Sequence, residues 1–340
     1  PKDASIYVNG ILQGKGDRLL RLPTVEQIIE LQMEGYAGYK TTITPRDAMT
    51  QVLKVRLLTE DEARMAAMKP SMVLPEGHEI TLITPNRFQM GTSRREAGRR
   101  ANEVQRNVEM ERMFYIGKRE VSNQQFAKFA QGHDSGIFQE RKMNQNNQPV
   151  VNISWAEAAL YCNWLSERNN LTKFYVTERG RIIGVNSKST GYRLPTEAEW
   201  AWVASQSTEN IKTRFPWGEN LPPPARHGNY ADQSASNLVG RVIFGYNDNH
   251  IVSSPVGTYP PDPNGIFDMA GNVAEWVNDF YEIPNGTETK DPLGPDKGEY
   301  HVIRGSSWMH GTITDLRTTF RDYGRQGRKD IGFRIARYAE

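Results

Sequence analysis

Cysteine is nearly missing from this chain: Cys162 is the sole thiol in 340 residues. An intrachain disulfide is therefore excluded. The redox compartment stays open, because exported bacterial proteins can lack disulfides and cytosolic ones usually do. No apolar run approaches the roughly 20 residues that a membrane-spanning helix needs, and no signal peptide is visible. An excess of one charge is missing too. With 42 Lys and Arg against 40 Asp and Glu, the net charge of +2 excludes an electrostatic nucleic-acid binder. No internal repeat or low-complexity tract stands out. Met is missing from the first position, where Pro1 stands, which leads us to expect that a signal or membrane anchor preceded it.

What is present is bulky and turn-rich. Seven Trp, fourteen Tyr and twelve Phe supply a core, while 29 Gly and 19 Pro point to loops rather than a helical bundle. The stretch GIFDMAGNVAEW, 265–276, concentrates these features. Gly271-Asn272 marks a tight turn, because both residues tolerate positive φ. Trp276 pins that turn against a core. Asn272 and Glu275, three apart, are placed to face one hard cation.

Residues 1–60 read as a small β unit. Ala4, Ile6 and Val8 alternate with polar neighbours before a hairpin signal at Asn9-Gly10. Further strands are expected at 28–32, 39–44 and 51–58. TEDEARMAAMKP, 59–70, predicts a helical linker that stops before Pro70. From Met72 onward, strand-like pieces at 80–83, 88–90 and 113–116 precede three helices with capping-box spacings: Ser122 to Gln125, Ser154 to Glu157, and Thr196 to Glu199. An exposed hairpin is expected within 173–188 and a long polar loop over 282–300.

Several blocks together resemble one family. They include FQMG, KREVSNQQFAKF, QPVVNISWAEAALYCNWLS, GYRLPTEAEWAWVA, FPWGEN, SSPVGTYPPDPNGIFDMAGNVAEW, VIRGSSW and IGFRIAR, in order over 72–338. They look like the formylglycine-generating enzyme, or sulfatase-modifying factor, domain. The resemblance implies an α+β, irregular, C-type-lectin-like fold across 72–340. PKDASIYVNGILQGKG with EGYAGYKTTITP resembles a PEGA domain, which implies a small β-sandwich over 1–60 and a linker at 61–71.

Active members of the family oxidise a sulfatase cysteine and hold copper(I) between two thiolates after the R-G-G-S-type motif. Here that motif is Arg304-Gly305-Ser306-Ser307, and the two cysteine positions fall on His310 and Asp315. Neither offers the soft sulfur that Cu(I) prefers, so no copper is expected. Cys162 lies on the apolar stripe of its helix and reads as a packing residue. His301, His310 and Asp315 are the candidate set for iron, a two-His-one-carboxylate arrangement, although iron is not the expected cofactor.

The resemblance also implies structural Ca²⁺. One site maps to Asn272 and Glu275. A second maps to Asn229 and Asp248, with carbonyls of Tyr230 and His250, because hard oxygen donors suit this ion. Arg317, Arg321 and Trp308 form the candidate surface for a carboxylate or an extended peptide. Against that stands a bracing role for Arg304 and Arg334, opposite Asp268 and Glu275. The resulting expectation is a non-catalytic scaffold or binding protein in the periplasm or on the surface of a bacterium, with other envelope proteins or its own copies as partners. The alternative is a non-heme metal-dependent oxidoreductase.

Overall fold

Asn9 and Gly10 both take positive φ (49° and 78°), the backbone that a two-residue hairpin turn demands. They join strand Ser5–Val8 to Ile11–Lys15. The computed structural model, which describes residues 2–206 and 213–339, divides the chain into two units, Pro1–Lys69 and Pro70–Glu340. In the first, Ile11–Lys15, Ser5–Val8, Gln27–Gln32 and Tyr39–Ile43 form one four-stranded sheet in that order. Its buried face carries Ile6, Val8 and Ile29.

Two expectations change in this unit. Among the described residues a single sheet stands where a two-sheet sandwich was expected. Residues 51–58 form no strand; their main-chain pairing comes at the end, where the Leu58 carbonyl accepts Ala37 N–H at 2.9 Å, and Leu53 is exposed. Helix α1, Glu60–Ala67, follows with a complete capping box from Thr59 and Glu62.

In the second unit each predicted capping box closes. Ser122 starts α2, Asn123–Ala127; Ser154 starts α3, Trp155–Arg168; Thr196 starts α4, Glu197–Ser205. In each, the hydroxyl accepts the N–H three residues on, satisfying a donor that the first turn leaves free. The hairpin Tyr175–Glu178 with Arg181–Val185 falls inside the predicted span. The loop 282–300 is irregular except at Thr289–Lys290, which pairs in parallel with Arg106–Glu109.

The central sheet runs Arg321–Gly324, His301–Arg304, Ala274–Phe280, Ile331–Phe333. A second runs Ala336–Tyr338, Phe114–Gly117, Glu79–Ile83, Ser71–Val73. Helices α3 and α4 pack their Trp, Tyr and Ala side chains into one core with these sheets. Two indoles lace α3 to strand Ala274–Phe280: Trp155 Nε1 donates to the Val277 carbonyl at 2.8 Å, and Trp276 Nε1 to the Ile153 carbonyl at 3.0 Å. Cys162 is fully buried, and burial pushes its thiol far up. No helix among the described residues is long and apolar enough to cross a membrane.

Candidate functional site

The residues after strand His301–Arg304 form a strap whose path is set by main-chain hydrogen bonds. Gly305 takes φ 82°, and a Cβ there would meet the Trp200 ring at 3.0 Å. Trp308 N–H donates to the Asn272 carbonyl (2.9 Å), Gly271 N–H to Ser306 (3.1 Å), and Ala231 N–H to His310 (3.0 Å). Residues 229–231, 271–272 and 305–310, distant in sequence, are thereby held as one block.

On the strap, His310 and Asp315 act locally. His310 Nδ1 accepts from Ser307 N–H at 3.0 Å, and its ring meets Phe320 edge-on. Asp315 Oδ1 accepts from Thr312 N–H at 2.8 Å. His301 lies flat on the Trp155 indole, centroids 3.6 Å apart, and burial lowers its pKa to about 4. Among the described residues no group of three or more His, Cys, Asp or Glu side chains converges as metal ligands would. The set His301, His310 and Asp315 therefore does not assemble, because stacking on Trp155 takes His301 elsewhere.

Beneath the strap, main-chain donors tie Asp248 to Tyr230 and His250. Asp248 Oδ2 accepts Tyr230 N–H at 2.8 Å, and its Oδ1 accepts His250 N–H at 2.8 Å. Asn272 N–H donates to the Asn229 carbonyl at 2.8 Å. Asn272 takes φ 58° after Gly271 at 96°; a Cβ on Gly271 would sit 2.9 Å from the Asn229 carbonyl, so the close approach requires glycine. Asn229 Nδ2 donates to the Val252 carbonyl, while its Oδ1, fully buried, meets no donor. An orphaned buried oxygen is costly, and a hard cation would satisfy it. Burial raises the Asp248 carboxyl to about 7 against the pull of its two N–H donors. This donor set fits Ca²⁺.

The first predicted cation site does not fit. Asn272 and Glu275 are both buried, but Glu275 serves another partner. Arg334 forks onto its carboxylate at 2.8 and 2.6 Å, and Trp200 Nε1 adds a third bond at 2.9 Å. Asn272 Oδ1 accepts from Ser254 N–H, and its Nδ2 donates to Glu120 Oε1 at 3.1 Å. Glu120, which the sequence reading missed, completes a buried cluster with Asp268, Glu275 and Arg334. Glu120 Oε2 and Asp268 Oδ1 have no donor. Burial, then the neighbouring Asp268, drives the Glu120 carboxyl well above the usual range, and burial brings Asp268 to about 6.

The bracing expectation holds for Arg334 with Glu275. It fails for Arg304, which donates to the carbonyls of Thr318, Thr319 and Phe320 instead of Asp268. The expectation of a ligand-facing arginine surface is corrected as well. Arg317 is forked onto Glu103 with a further bond to Glu96, and Arg321 is forked onto Glu197. Trp308 is fully buried against Phe138 and donates to the Lys329 carbonyl. A buried guanidinium needs a carboxylate partner, and each of these found one inside the fold.

Residues 64–339 match the sulfatase-modifying factor enzyme 1-like domain. The chain is 31% identical to the formylglycine-generating enzyme of Mus musculus over 180 residues, covering 53% of this chain and 39% of that one. The match thus spans well under half of that relative. Among solved structures, variable protein 1 of Treponema denticola shares the fold, with TM-score 0.63 at 22% identity over 78% of this chain and 98% of that one. PvdO from Pseudomonas aeruginosa superposes with TM-score 0.62 at 25% identity, covering 80% of this chain and all of that one.

Proposed function

Because the chain belongs to the sulfatase-modifying factor enzyme 1-like domain family, we propose that it is a non-catalytic member: a scaffold or binding protein of a bacterial cell envelope. One observation carries this reading. The positions that would hold a copper-binding thiolate pair carry His310 and Asp315, and both side chains accept hydrogen bonds from their own strap. Cu(I) selects soft sulfur donors. Cys162 offers no substitute, since it is buried in α3 and its thiol is pushed up by burial, and an inert thiol is not a ligand.

Copper-free, the fold serves as a rigid platform. The N-terminal unit, PEGA-like in sequence, acts as an attachment arm toward other envelope proteins or further copies of the chain. The resemblance of residues 1–60 to PEGA modules supports a bacterial setting at the cell surface or in the periplasm. Structural Ca²⁺ belongs to the same reading. Asn229 and Asp248, with main-chain oxygens of Tyr230 and His250, would hold the ion, and its charge would stabilise the ionised Asp248.

The test is oxygen consumption by purified protein loaded with copper or iron and offered a cysteine-containing sulfatase peptide. No turnover-dependent uptake is expected. Sustained uptake with peptide oxidation would replace the scaffold reading with that of a metal-dependent oxidoreductase.

A further inference from the structure

Strand Arg106–Glu109 and the loop 282–295 border an open cleft of about 460 Å³, within the size range of small-molecule sites. Arg106, Glu197, Asp279 and Arg321 line its floor. Glu197 is already gripped by Arg321, at 2.5 and 2.9 Å. Arg106 stands 3.7 Å from Glu197 Oε2, beyond hydrogen-bond reach, and its guanidinium makes no hydrogen bond to any described residue although its side chain is only 13% exposed. A nearly buried guanidinium with free donors opening on a cavity is poised for a planar anion.

The charge around the cleft limits that anion. Arg106, Arg321 and Arg304 all lie within 3.8 Å of Glu197. Asp279, which accepts Glu197 N–H at 2.7 Å, is the second carboxyl of the group. The cleft's lining carries Arg106, Lys290 and Arg321 against Glu197, Asp279 and Glu282. Arg321 is committed to Glu197 and Lys290 to Glu111, so Arg106 is the cation left to meet a ligand, and a single guanidinium suits a monoanion better than a phosphate.

The wall is built rather than loose. Asn278 Nδ2 holds the Leu293 carbonyl, and Arg321 holds that of Glu282 at 2.7 Å. Gly294, at φ 80°, comes so near Asp279 that an added Cβ would lie 2.7 Å from its side chain. Ile283, Pro284 and Leu293 give the cleft an apolar side, and the buried Thr289 hydroxyl beside it has no partner.

We propose that this cleft binds a small organic carboxylate with a short apolar body, the carboxylate forked by Arg106 and the body lying against Ile283, Pro284 and Leu293. The site is separate from the strap that carries His310, so it stands whether or not the chain is an enzyme. A free acid and the C-terminus of a peptide share this chemistry.

The experiment titrates the full chain by calorimetry with acetyl-Leu-Leu, its C-terminal amide, and 4-methylpentanoate. Saturable binding of at least one acid is expected, with the amide about tenfold weaker or more. Arg106→Met should weaken the acids by a similar factor. Arg106→Lys keeps the charge but not the fork and should weaken them about threefold or more, which decides the matter if the Met variant melts early. Tighter acetyl-Leu-Leu points to peptide termini, and tighter 4-methylpentanoate to free acids. Equal binding of acid and amide, indifference to both Arg106 variants, or no saturable binding of either acid by about 10 mM would overturn the assignment.

Discussion

Arg334 and Glu275 grip one another where neither reaches solvent, with Nη2 to Oε1 at 2.6 Å and Nε to Oε2 at 2.8 Å. Glu120 and Asp268 crowd the same guanidinium, as their mutual charge effects record. Replacing Arg334 with Met should cost about 3–5 kcal/mol in urea unfolding, because it strands buried carboxylates. The loss should shrink at pH 5 relative to pH 8, since Asp268, which burial brings to about 6, is then neutral and needs no counter-charge.

The pH dependence of stability has opposing contributors. Burial raises Asp279 to about 7 from an unfolded value of 3.8. Between these values the folded state holds the extra proton, so this stabilisation is complete below 3.8 and fades as pH rises through about 7. His78, His227 and His301, lowered by burial to about 4, act the other way: stability rises with pH from about 4 to the unfolded value of 6.5. Asp279→Asn, which keeps an acceptor for Glu197 N–H, should remove the first contribution. Relative to the unmodified protein, it should gain on the order of 2 kcal/mol between pH 4 and pH 8 in parallel denaturation series.

Calcium should raise the melting temperature and a chelator should lower it. The Asn229→Ala and Asp248→Ala variants should melt alike in both. Glu275→Gln should destabilise the fold while keeping the calcium response, because its carboxylate serves Arg334 rather than the ion.

Arg317→Ala should act on stability alone. Its partner Glu103 is fully enclosed with it, so removing one member of the pair should cost about 3–5 kcal/mol by thermal or urea unfolding. Binding of carboxylates measured on the folded fraction should not change, in contrast to Arg106 variants.

Short-range signals were legible. Ser122, Ser154 and Thr196, each followed three residues later by Glu or Gln, started a helix, and Asn9-Gly10 closed its hairpin, because those bonds form within a few residues of chain. Long-range pairing was not. Arg317 and Arg321 read as surface charge, since their partners Glu103 and Glu197 lie 214 and 124 residues away. Glu275 read as a cation ligand for the same reason: Arg334 is 59 residues on. Residues 51–58 show the converse failure, an alternating pattern that forms no strand. Glu120 carried one faint signal, an acid between an apolar strand and a helix cap. Arg106 carried none, because its distinction is the lack of a partner.

The strap over residues 229–231 and 271–272 is sewn down by peptide groups, and peptide groups are common to every amino acid. Position 310 can therefore change its side chain while the loop keeps its course, because Ala231 holds the His310 carbonyl rather than the ring. Architecture and reactivity are written on different parts of the same residues, so a lineage can shed or acquire chemistry at this spot without first inventing a new shape.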